Sequence, residues 1–434
     1  MRWILLWILL AANLSLANPL DSFGLGPRAI ALGGAVASDV RDSAATYYNP
    51  AGLAFSDKLR MDFGYVLMRP HLEINGHSQE VDDSRGVQLG ISVPGSILSK
   101  RLGIGLSVHL PDEHISRIRA LPAQQPRWIL WDNRPQRIVI TSSAGLELLD
   151  GLSFGFGLTY LANTAGVLNL TGDVDLADPE LTRLLAGVDV DLTAVRYVSA
   201  GLQWHPDPHW SFGLTYREDF RLALDIGVDV SGDVVVGDSV VVEQGQFIVR
   251  SVSRTMFSPQ QVTGSVSYNE SPLRIGFELG WLQYSRFPSP AAQVDIELDL
   301  SPLTVALPTP AQPGPPRFRD IMIPRIGVEW LTLKTQALSM MLRTGYFFEA
   351  SPVPSQRGQT NFVDNDKHGI SFGAGFEIQT RGAIIDGPLT IDIAALWIEL
   401  ANHHVEKSNP VDPIGDYTHR GRLLGVSSSI GVTF

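Results

Sequence analysis

From residue 58 to the C-terminus the chain is dominated by stretches in which large apolar residues recur at every second position, with small or polar residues between them. Leu152, Phe154, Phe156, Leu158 and Tyr160 alternate with Ser153, Gly155, Gly157 and Thr159. Trp210, Phe212, Leu214 and Tyr216 alternate with Ser211, Gly213, Thr215 and Arg217, and Ile370, Phe372, Ala374, Phe376 and Ile378 with Ser371, Gly373, Gly375 and Glu377. A period of two belongs to extended strands whose two faces meet unlike media. Glycine weakens a strand, but on a face turned to a lumen it leaves room for a plug or a ligand. Fourteen segments follow the pattern: 58–68, 86–94, 100–109, 136–147, 151–162, 194–205, 209–220, 257–269, 272–285, 320–331, 335–348, 368–379, 388–400 and 422–434. Most approach the ~9–11 residues that a tilted strand needs to cross a bilayer.

The links between these segments decide the class. After even-numbered strands they are short, as in Leu148 to Asp150, Pro206-Asp207-Pro208 and Ser271-Pro272. After odd-numbered strands they are long: 69–85, 110–135, 163–193, 221–256, 286–319, 349–367 and 402–421. That parity is the signature of an outer-membrane barrel, with short periplasmic turns and longer outer loops. The fold predicted is all-β, a transmembrane antiparallel β-barrel of about 14 strands. An even count puts both termini in the periplasm. Trp204, Trp210, Trp281, Tyr284, Trp330, Tyr346 and Trp397 fall near strand ends, where amphipathic rings favour the membrane interface. The last strand alternates Val426, Ser428, Ile430, Val432 and Phe434, and a terminal aromatic there fits insertion by the barrel-assembly machinery.

One outer loop carries a helix signal: Asp178 as cap, Pro179 and Glu180 in the first turn, and Gly187 as terminator. Its apolar stripe, Leu181, Leu184 and Leu185, reads either as packing on neighbouring loops or as a landing groove for a greasy ligand. Pro302 to Pro316 reads as an extended loop.

Composition narrows the field. Hydrophobic residues make up 44% of the 434 residues, too few for a bundle of membrane helices. No charge-free apolar run of about 18 residues lies beyond the N-terminus. The net charge of -12 argues against a nucleic-acid binder. The absence of cysteine removes disulfides, thiolate zinc sites, cysteine nucleophiles and a lipoprotein anchor. Residues 1–17 have the order of a secretory signal: Arg2, the apolar stretch Trp3 to Ala12, then small residues at Ser15-Leu16-Ala17.

Residues 18–57 do not alternate, and their glycines and small residues suggest a compact plug. A barrel this wide would otherwise hold an aqueous hole. Residues 58–434 then form the barrel. Two stretches carry a resemblance. Arg28-Ala29-Ile30-Ala31-Leu32-Gly33-Gly34-Ala35 followed by Asn49-Pro50-Ala51 resembles the N-terminal hatch of the FadL-type outer-membrane transporters of long-chain fatty acids and hydrocarbons. Gly345-Tyr346, Ser351 to Pro354, Val363 to His368 and Ser371-Phe372-Gly373 are similar to that family's late loop and following strand. The resemblance implies a hatch blocking the lumen, gated at Asn49, Pro50 and Ala51, and capture of a hydrophobic ligand, fatty acid or hydrocarbon, at the outer loops. It also implies sideways release into the membrane, past lipopolysaccharide, through a gap beside a kinked third strand around Gly103 to Pro111.

Candidate chemistry is sparse, and no catalytic, cofactor or metal site is assigned. Gly151 to Gly155 and Gly369 to Gly373 match the Gly-x-Ser-x-Gly pattern of hydrolases, but both serines sit in strands with no helix following. Pro206 and Pro208 forbid a helix that would join His205 to His209. His403-His404, Asp173, Asp175 and Asp178 read either as ligands of a divalent ion in the outer loops or, in preference, as solvated loop charge. Alternation turns Arg217, Arg274, Glu278, Arg343, Glu377 and Asp392 into the lumen. They either pair with each other and the hatch, or one arginine, Arg274 or Arg343, receives a fatty-acid carboxylate in its fork. Transport of hydrophobic small molecules, long-chain fatty acids foremost, leads. The alternative is a structural or secretion-accessory barrel with a permanent plug, and an outer-membrane lipid hydrolase stands third.

Overall fold

The computed structural model describes residues 19–112, 125–131, 137–175, 183–236, 239–287, 293–299, 316–358, 360–380 and 387–434. Fourteen antiparallel strands form the wall: β1 Arg60–Ile74, β2 Ser84–Ile97, β3 Lys100–Pro111, β4 Val139–Leu149, β5 Leu152–Asp175, β6 Arg183–Trp204 and β7 Trp210–Arg217. They continue as β8 Gln261–Glu270, β9 Leu273–Leu282, β10 Ile321–Lys334, β11 Leu338–Glu349, β12 Lys367–Gln379, β13 Pro388–Val405 and β14 Tyr417–Thr433. Each pairs with the next in sequence, and β14 returns to β1 from Arg60↔Thr433 to Ile74↔His419. Closure leaves the wall no free edge, which is how a sheet satisfies its backbone inside lipid.

Alternation sorts the faces as the pattern predicts. Phe156, Phe372 and Val426 are 50%, 61% and 59% exposed on the outer face. Their neighbours Ser153, Gln203, Ser371 and Ser427 are buried within. Trp204, Trp210, Trp330, Tyr346 and Trp397 are exposed, as interfacial rings should be. Tyr284 is not one of them: it lies in a short 3-10 turn, Tyr284–Arg286, and is buried.

The outer connections differ from expectation. β5 and β6 run past the membrane as a ribbon, pairing from Asn163↔Thr193 to Asp173↔Arg183. A hairpin of Phe220–Val236 and Ser239–Ser258 lies beside it, with Ile226↔Gly166 in parallel, and Gln293–Asp299 adds a further strand. The predicted helix is therefore a strand from Arg183 onward, because Val188-Asp189-Val190-Asp191-Leu192 keeps a period of two and finds a partner. Leu181 lies outside the described residues, as do residues 1–17, Asp178 and most of Pro302 to Pro316. Leu184 is in the strand, and Leu185 is 79% exposed rather than lining a groove. Among the described residues no register break marks the expected kink. β3 pairs without a register break with β2 throughout and with β4 from Leu102 to His109. Gly103 and Gly105 instead make room for Leu53 of the plug.

The plug fills the lumen with α1 Pro19–Phe23, α2 Pro27–Ala31, α3 Ala45–Tyr48 and a 3-10 helix Pro50–Phe55. Asn49 starts the 3-10 helix: its side chain accepts from the Ala51 amide, and proline follows where no donor is needed. Leu32, Ala45, Ala51 and Leu53 are fully buried, so the plug shares one core with the wall.

Candidate functional site

Two rows of wall glycines, aligned by strand register, seat the hatch. Gly103↔Gly145, Gly145↔Gly155 and Gly155↔Gly201 run across β3 to β6. A Cβ at Gly155 would strike the Pro50–Ala51 backbone, and one at Gly201 the Asn49 side chain. On the far wall Gly276↔Gly327 and Gly327↔Gly345 cross β9 to β11 beneath Leu32 and Gly33. Beside each row stands one of the Gly-x-Ser-x-Gly serines. Ser153 Oγ donates to the Ala51 carbonyl at 2.9 Å, and Ser371 Oγ to the Ala31 carbonyl at 2.9 Å. The motif here is a docking device for hatch backbone rather than a nucleophile. Asn49 completes the fastening, donating to the Ala37 carbonyl at 2.6 Å and the wall carbonyl of Leu202 at 3.0 Å.

Charges tie hatch to wall on one side. Arg274 grips Asp39 in bidentate fashion at 2.5 and 2.7 Å and also donates to the Ala35 carbonyl at 2.9 Å. Arg28 reaches Glu329 at 3.1 Å. Arg343 spans Glu329, at 2.5 Å, and Asp392. Burial works to raise the Asp39 carboxyl, but Arg274 and Arg28 hold it below its ordinary value. Of the two readings of the lumen charges, the geometry places Arg274 and Arg343 in mutual pairing. Neither lines the cavity described next.

That cavity, about 120 Å³, lies between the hatch and the side of the lumen where the long connections fold. Leu20, Phe23 and Ile30 of the hatch, Phe347 and Ile398 of the wall, and Trp131 from the β3–β4 connection supply its apolar half, and charged and polar side chains supply the rest. Trp131 belongs to a cap in which Arg127–Trp128 pairs in parallel with Phe362–Val363. Trp128, Ile129, Leu130, Phe362 and Val363 are all buried. The cap is fastened by Asp364, which accepts from Ser351 Oγ at 2.9 Å and from Lys367 at 3.0 Å. Burial raises the Asp364 carboxyl above its ordinary value despite Lys367. Sequence reasoning missed this cap and the cavity residues Asp21, Tyr47, Glu349 and Lys367, since nothing in a two-residue period marks which loop folds inward.

At the short-turn end of the barrel, the β6–β7 turn holds the last residue of the 3-10 helix: His205 stacks edge-on against Phe55 at 4.6 Å. Its Nδ1 is 2.7 Å from Ser211 Oγ. Burial first, and Arg41 second, bring this imidazole down to about 4. The unfolded chain takes up the proton below its ordinary value of 6.5, the folded chain only near 4. Stability present above 6.5 is therefore lost as pH falls toward 4. Between about pH 7 and about pH 4.5, the wild type should lose more thermal stability than His205→Gln; equal losses would refute a role for this ring.

A closed antiparallel barrel with a folded plug and an internal cavity partly walled by apolar side chains defines a class: outer-membrane barrels that pass hydrophobic compounds. The sequence pattern of the outer membrane protein transport protein family (OMPP1/FadL/TodX) matches residues 135–413, and the chain belongs to that family. It is a family of transporters, not enzymes. The chain is 21% identical to alkane uptake protein A of Marinobacter nauticus over 412 residues, covering 89% of this chain and 84% of that protein. Its fold matches a Pseudomonas aeruginosa FadL homologue with a TM-score of 0.54 at 15% identity, over 98% of this chain and 99% of the other. It also matches the Pseudomonas putida toluene transporter TodX, with a TM-score of 0.51 at 14% identity, over 95% and 99% of the two chains.

Proposed function

We propose that this protein captures hydrophobic small molecules, long-chain fatty acids or hydrocarbons, at its outer loops, and that they pass inward when the hatch rearranges. The observation that carries the reading is the cavity bounded by the hatch and Trp131, where Leu20, Phe23, Ile30, Phe347 and Ile398 offer an apolar wall beside the polar one. A cavity of about 120 Å³ is comparable to the ~150 Å³ that admits a benzene ring. In the closed state it holds a small ring or part of a chain. Anything longer requires the hatch, the cap or both to move. Release goes sideways into the bilayer, since an apolar ligand gains nothing from a water-filled pore. With the ladder around β3 closed, that exit requires strands to part when ligand binds. Residues 1–17 serve as the export signal, both termini lie in the periplasm, and the barrel-assembly machinery inserts the chain.

Uptake of a labelled fatty acid and a labelled alkane tests this, in cells lacking their own transporter and expressing wild type or Asn49→Ala at matched surface levels. Wild-type uptake that falls in Asn49→Ala is expected, because this amide bridges Ala37 and Leu202 at the start of the 3-10 helix. A folded barrel that takes up neither ligand would support the accessory reading instead.

A further inference from the structure

The cavity is lined about equally by apolar and polar groups, and three cations border it: Arg217, Arg325 and Lys367. Each already has a carboxylate. Arg217 Nη1 is 2.7 Å from Asp21, Arg325 Nε is 3.6 Å from Glu278, and Lys367 Nζ is 2.8 Å from Glu349. All three carboxylates border the same cavity, so the lining itself is charge-balanced. The partners are fixed as well as near. Asp21 also accepts from Tyr47 Oη at 2.6 Å and Ser258 Oγ at 3.1 Å. Arg217 donates to the Tyr47 carbonyl at 2.9 Å and packs over the Tyr47 ring at 4.1 Å. Lys367 has a second anion, Asp364, at 3.0 Å.

A ligand carboxylate entering here would meet no uncompensated cation among these three. It would have to displace a carboxylate of the protein, leaving that group buried and unpaired, or remain unpaired itself. Either course carries a desolvation penalty that an uncharged molecule of the same shape avoids. Taking the cavity as part of the transport path proposed above, we infer that it selects uncharged hydrophobic molecules over their carboxylates. Asp21 and Glu349 are the specificity-determining residues, standing on Arg217 and Lys367 where an acid head group would stand.

The inference predicts a gain of function. Asp21→Asn frees Arg217, and Glu349→Gln weakens the compensation of Lys367. Binding of labelled 1-decanol and of decanoate, at a pH where the acid is ionised, is measured on the purified full-length barrel and on each variant. Wild type should prefer decanol by about tenfold or more, and each variant should narrow that ratio by tightening decanoate with little change for decanol. Equal wild-type affinities, or a ratio unchanged in both variants, would overturn the inference. Heat-modifiable gel mobility shows whether each variant is folded, and Glu349→Gln stands alone should Asp21→Asn disturb the hatch. Uptake of the same compounds by cells separates the two ideas. Selective binding without uptake would count against the transport reading alone, whereas uptake of both without preference would count against the charge argument alone.

Discussion

Arg343→Ala should destabilise the folded barrel by about 3–5 kcal/mol, the usual cost of removing one partner from a buried ionic cluster. The Arg343 side chain is 3% exposed and joins Glu329 to Asp392. It reaches across β12 to do so, and Gly375 lies there because a side chain would collide with the guanidinium and with Asp392. Without Arg343, Glu329 keeps Arg28, while Asp392 loses this buried partner. Arg343→Lys retains the charge but not the fork, so it should recover only part of the loss. Unfolding in urea, followed by gel mobility, measures this. The same variants discriminate the two roles considered for the arginine. A network residue, once lost, weakens acid and alkane uptake alike; a carboxylate receptor would spare the alkane. A stability loss below about 1 kcal/mol would put the pair among surface ion pairs and refute the network role.

Much of the wall is legible in the sequence because a membrane barrel imposes one rule at every position. An outward residue must suit lipid and an inward one must suit the lumen, so the period of two survives from Phe63 to Phe434. The hatch boundary is legible for the opposite reason: residues 18–57 lack the period. Alternation also turns Arg217, Arg274 and Arg343 inward, but it cannot say what each meets. Asp39 is 235 residues from Arg274, and no local pattern links them. The helix expected at Leu181 to Gly187 shows a different limit. Its cap and proline are genuine local signals, yet from Arg183 on the chain finds a ready ladder along β5, and pairing overrides propensity. Tyr284 fails in a similar way, since a ring near a strand end turns inward when the next residues form a tight turn rather than a rim.

The glycine rows were visible as glycines, but only register shows that they are rows. Gly103, Gly145, Gly155 and Gly201 are scattered over four strands, and pairing brings them side by side. A shelf without side chains lets the hatch lie backbone-on-backbone against the wall, close enough for Ser153 and Asn49 to bond it. The fit is steric, so the shelf tolerates no added methyl where the hatch touches it.

Gly155→Val is therefore expected to unseat the hatch and open the lumen to ions and small hydrophilic solutes. The new side chain would occupy the space of Pro50 and Ala51, while valine suits a strand at least as well as glycine. The wall should then fold and close with the plug displaced. The expected readout is channel conductance in planar bilayers from a protein whose strand content and gel mobility match wild type. A variant as tightly sealed as wild type would mean that the hatch can shift along the shelf without releasing it. Gly264→Val provides the control, because a Cβ at that position of β8 meets nothing within 4 Å. If Gly264→Val stays sealed while Gly155→Val conducts, the leak comes from the lost seat and not from a glycine missing in the wall.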